Sequence, residues 1–171
     1  LDSEAIQVYQ EDQNVNYQGR TSTVPFDKVK KPSSNFEFVD ASDAIEVQDS
    51  GYYRVHYTLN LKDTGQGDMQ VPEARIQKNS QGSYATSFTH IDRNLKDHLT
   101  SSTILQLDDG DSLRMRLDKR FRASFGESLT TKNMSWFFVE RVNSSDVGKL
   151  TQPSDKTIEF KKSESVPFLS S

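Results

Sequence analysis

The sequence has no cysteine, which excludes disulfides, thiolate metal sites and a cysteine nucleophile. Secreted animal domains often carry a disulfide, so this absence leans toward another setting. Long apolar runs are missing too. No stretch approaches the roughly 20 residues that a spanning helix needs, and membrane insertion is not expected. No secretory leader is visible. The chain opens on Leu1 rather than Met, which reads as a processed or trimmed start, so no compartment is excluded. An excess of positive charge is also lacking: the formal net charge is −4, and bulk electrostatics favour neither nucleic acid nor an anionic membrane. Apolar residues make up only 33%, as in a β protein with one solvated face per strand. No segment carries a helical stripe, and Asp92 to Leu99 offers at most one turn.

Trp136, six Tyr and ten Phe argue against a disordered chain, and 171 residues suffice for one domain. Tyr52 to Leu61 alternates apolar Tyr53, Val55, Tyr57, Leu59 and Leu61 with more polar neighbours, the mark of a strand with one buried face. Shorter runs predict strands at Val24 to Phe26, Phe36 to Val39, Ile45 to Val47, Glu73 to Gln77, Tyr84 to Ile91 and Thr157 to Phe160. From Thr103 to Leu117, Leu105, Leu107, Leu113, Met115 and Leu117 share a face across Asp109-Gly110, which predicts an antiparallel hairpin. Met134 to Val142 is apolar on both faces, so both must be covered. About ten short strands predict an all-β antiparallel sandwich, most naturally a jelly roll.

Three pieces in order carry a family resemblance: Ile45 to Tyr57 with Gly51-Tyr52-Tyr53-Arg54-Val55, then Ala74-Arg75-Ile76-Gln77-Lys78-Asn79, then Ser102 to Leu117 with Leu105-Gln106-Leu107 before Gly110-Asp111. Together they resemble the globular-head jelly roll of complement and tumour necrosis factor proteins over residues 24 to 142. The resemblance implies about ten strands and a homotrimer with aromatic and aliphatic side chains along the threefold axis. It does not imply one ligand. The organisation expected is an extended N-terminal arm (1–22), a jelly-roll domain (23–142) and a C-terminal arm with short strands (143–171). This chain shows no Gly-X-Y stalk, a departure from the animal proteins, and its arms, missing cysteine and polar, Asn/Gln/Ser/Thr-rich surface resemble phage jelly rolls. The reading is a non-enzymatic module of a phage fibre, capsid fibre or decoration protein at the virion surface. Its expected partners are other virion proteins or a host glycan or protein, with no nucleic acid. The alternative is a secreted, extracellular complement-like binding protein.

Candidate chemistry is sparse. Gly110-Asp111-Ser112-Leu113 spells a hydrolase motif, but Ser112 opens a strand and the last histidine, His98, lies upstream, so nothing is in place to take its proton. His56, His90 and His98 show no metal-ligand spacing. Asp108, Asp109 and Asp111 read as turn residues before calcium ligands. No cofactor is expected. Arg114, Arg116, Lys119, Arg120 and Arg122 form the densest basic patch, suited to an anionic sugar or acidic partner and equally to a solvated strand face. Trp136, Phe137, Phe138 and Val139 are the candidate trimer interface or core. The sequons at Asn133 and Asn143 carry meaning only in a secreted eukaryotic setting.

Overall fold

The computed structural model describes residues 4–11, 15–17, 21–30, 34–63, 69–92, 95–119, 129–131, 135–148, 150–151 and 169–170. Its strands in chain order are β1 (Ala5–Tyr9), β2 (Val15–Tyr17), β3 (Thr21–Thr23), β4 (Lys28–Lys30), β5 (Phe36–Val39), β6 (Ala44–Val47), β7 (Gly51–Asp63), β8 (Met69–Gln70) and β9 (Pro72–Lys78). They continue with β10 (Gln81–Phe88), β11 (Ile91–Asp92), β12 (Lys96–Leu107), β13 (Ser112–Lys119), β14 (Leu129–Thr131), β15 (Trp136–Val142), β16 (Leu150–Thr151) and β17 (Leu169–Ser170).

Two antiparallel sheets face each other as a jelly-roll sandwich. Sheet A has seven strands. The long β7 lies between β12 on one side and β15 with β14 on the other; β1 and then β4 continue beyond β15, and β2 beyond β14. Sheet B runs β10-β9-β13-β6-β5, with β3 also paired to β13. The alternation of β7 sends Tyr53, Val55, Tyr57, Leu59 and Leu61 into the space between the sheets, where each is at most 1% exposed. Leu113, Met115 and Leu117 of β13 and Ala74 and Ile76 of β9 meet them from the other side.

The two halves of Thr103 to Leu117 are strands with the expected buried face, but they do not form a hairpin. β12 pairs with β7 in sheet A, while β13 pairs with β9, β6 and β3 in sheet B. The Asp108–Asp111 turn therefore arches between sheets. A strand in either sheet of a sandwich turns one face to the shared core, so the same alternation serves a hairpin and an arch.

The N-terminal arm also needs correction. β1 is paired on both sides, by β15 and β4, and Ile6 and Val8 are fully buried. Two alternating apolar side chains and two strand neighbours make this segment part of the core. Val24 and Phe26 are buried, but Val24 to Phe26 is not a strand: Val24 N–H donates to Met115 O at 2.9 Å, and Phe26 N–H to Asp43 Oδ1 at 3.2 Å. Of the single turn expected within Asp92 to Leu99, Leu95 N–H donates to Asp92 O at 2.9 Å, and from Lys96 onward the chain is strand. Thr157 to Phe160 lies outside the described residues. Of the C-terminal arm, β16 and β17 pair with each other.

Candidate functional site

On β15 the alternation splits the four aromatic and aliphatic residues. Phe137 and Val139 point into the core and are fully buried; only Trp136 and Phe138 reach the outer face of sheet A. Strand register places their neighbours. Trp136 stands opposite Thr58 and Tyr9, Phe138 opposite His56 and Gln7, Glu140 opposite Arg54, and Val142 opposite Tyr52. On the other side of β7, Ile104 lies across from Arg54. The His56 ring meets Trp136 edge-on at 4.9 Å and 76°, and its Nε2 is 3.3 Å from Thr100 Oγ1. Lys30 Nζ sits 5.8 Å from the centre of the Tyr9 ring. Arg54 and Glu140 pair at 3.0 Å. The result is a half-buried aromatic face crossed by the Arg54–Glu140 ion pair. Tyr9, Tyr52 and Ile104 join it only through register, which a single sequence does not display.

The predicted basic patch is divided. Arg114 and Arg116 lie half-buried on the outer face of sheet B, because their β13 neighbours Leu113, Met115 and Leu117 fill the core. Lys119 ends β13, and its side chain, like Arg120 and Arg122, lies outside the described residues. Pairing with β9 adds Arg75 directly opposite Arg116, and pairing with β3 adds Thr23, whose hydroxyl accepts from Arg116. Arg75 was legible as the polar member of Ala74-Arg75-Ile76, but its nearness to Arg116 was not. Burial, followed by the positive charges of Arg75 and Arg114, pulls the Arg116 pKa down.

The acidic turn is built for shape. Gly110 has φ +90°, a conformation glycine adopts without strain. Its N–H donates to Val47 O at 2.8 Å, and Asp109 N–H donates to Ser50 Oγ at 2.9 Å. Desolvation works against ionisation of Asp111, yet donors from Asn79 and Asp108 and the charge of Lys78 outweigh it and hold the carboxyl below its ordinary value. Ser112 N–H donates to Asn79 Oδ1 at 2.9 Å, so the hydrolase letters spell the start of a strand. Among the described residues, no three His, Asp or Glu side chains are placed to hold a metal ion, and no helix is long and apolar enough to cross a membrane.

No family model matches the chain, and no curated protein does either. Among solved structures, the Eiger TNF from S. frugiperda superposes with a TM-score of 0.55 at 14% identity, covering 94% of this chain and 100% of that one. At that identity the likeness carries the architecture alone. The chain has a TNF-like jelly-roll fold.

Proposed function

We propose that the chain is a non-enzymatic binding module that works as a homotrimer, assembled through the outer face of sheet A. The observation that carries this is the outward set Trp136, Phe138, Tyr9, Tyr52 and Ile104, spread over four adjacent strands whose opposite faces already fill the core. A sheet face of this composition gains by burial, roughly 25 cal/mol for each Å² of apolar surface removed from water. A second and third copy of the same face, as the family resemblance implies, provide that cover. The likeness to a TNF structure supports the fold on which this reading is built, and the extracellular setting is kept as part of the proposal. The virion-surface reading keeps the missing cysteine and the tail from Asn143 onward as support, since the N-terminal segment that also suggested it belongs to the core.

Sedimentation of the purified chain at micromolar concentration tests this. The expected species is a trimer, and Phe138→Glu should convert it to a folded monomer. A wild-type chain that sediments as a monomer overturns the reading.

A further inference from the structure

The outer face of sheet B holds three guanidinium groups in adjoining rows. Arg116 stands directly across from Arg75, and Arg114 follows two residues earlier on the same face, across from Gln77. Like charges directly opposite one another on a sheet repel, and the carboxylates nearby relieve this only in part. Asp118 pairs with Arg75. Asp43 stands close enough to Arg114 for the two charges to interact, but its Oδ1 accepts the Phe26 N–H. Arg116 has a neutral partner, the Thr23 hydroxyl. Among the described residues, the Nε atoms of Arg114 and Arg116 are covered and have no acceptor, and the covered Oδ1 of Asp118 has no donor. Two incompletely paired cations thus stand beside a third, away from the face through which the chain is proposed to trimerise.

We propose that Arg114 and Arg116, with Arg75 and Thr23 beside them, form a binding site for one oxyanion group: a sulfate, phosphate or carboxylate. A guanidinium presents a planar fork of N–H donors that fits two oxygens of such a group, and charge-assisted bonds of this kind are about twice as strong as neutral ones. An oxyanion placed between Arg116 and its neighbours turns their repulsion into shared attraction. The chain as a whole carries a net charge of −4, so its bulk field does not draw anions in. Binding must come from these short-range contacts.

The test is calorimetric titration of the full chain at low ionic strength with inorganic sulfate, then with a sulfated disaccharide. Saturable uptake of sulfate is expected, and Arg116→Gln should weaken it about tenfold or more. The variant relieves a like-charge contact, so it should fold, which circular dichroism checks. Arg116→Lys keeps the charge but loses the fork and should also bind more weakly. Lys96→Gln removes an equal charge from an exposed site on β12 and should bind like wild type. Tighter uptake of the disaccharide than of sulfate identifies a glycan source, and equal uptake identifies a free ion; either supports the site. No saturable uptake by the wild-type chain, or equal weakening in Lys96→Gln, overturns it. Because the readout is one-to-one binding per chain, it is independent of the trimer.

Discussion

Tyr57 shows how much one side chain holds together. It rises from the centre of β7 across the core, and its hydroxyl lies 2.5 Å from Ala85 O, 2.7 Å from Ser87 Oγ and 3.2 Å from Ala74 O. Those partners belong to β9 and to the bulged β10, where Ala85 adopts φ +49° and the pairing with β9 shifts register. One phenol thus ties the central strand of sheet A to the irregular edge of sheet B. Burial pushes its pKa from 10.0 to about 12. Below pH 10 both folded and unfolded chains keep the phenol proton; between 10.0 and about 12 the unfolded chain releases it first, so stability falls with rising pH. Tyr57→Phe should remove this alkaline loss. At neutral pH it should cost about 1–3 kcal/mol, because a bulge carbonyl loses its donor. Denaturant titrations of both proteins at pH 7 and pH 11 measure the two effects. An identical alkaline decline in the variant would assign the effect to other residues. The alternation that buries Tyr57 was plain in the sequence. Its hydroxyl network was not, because the bulge at Ala85 breaks the period that strand reading relies on.

The elements divide by how local their evidence is. β7, β9 and β13 each carry their own period of two, β15 is marked by its apolar run, and the sequence places all four within a few residues. β2, β4 and β14 are only three residues long, and their assignment depends on the strand each pairs with: β14 for β2, β1 for β4 and β7 for β14. Partner choice was the least legible property: the arch between β12 and β13 has the pattern of a hairpin, and the cross-strand contact of Arg75 with Arg116 follows only from pairing. β1 makes the point most sharply, since its polar surroundings disguised a strand that is paired on both sides. Ile6 is fully buried there, so Ile6→Ala should destabilise the chain by about 2–5 kcal/mol. Denaturant unfolding of the isolated protein checks this. A change below about 0.5 kcal/mol, the level of a surface substitution, would return β1 to the status of an accessory arm.

At the scale of the whole molecule, sheet A is closed by strands from opposite ends of the sequence: Val8 pairs with Phe137, and Ile6 with Val139. Forming that ladder brings together residues separated by most of the chain, which carries a loop-closure cost before any contact rewards it. Refolding should therefore run on the slow side, roughly milliseconds to seconds. A chain truncated before Trp136 should not fold. Stopped-flow fluorescence of Trp136 tests the first point; refolding complete in microseconds would mean that local contacts dominate. The same pairing gives the molecule two unlike poles. Glu4 O accepts from Arg141 N–H at 2.9 Å, and the Arg141 side chain also reaches Glu4, Asp49 and Ser50, so the chain enters the sandwich and leaves it at one rim. At the other rim lie two exposed apolar residues, Phe88 at the end of β10 and Leu95 just before β12, 60% and 56% exposed. A carrier or stalk joined before Glu4 or after Asn143 would grow from the first pole and leave the second facing outward, as a blade is held by its handle.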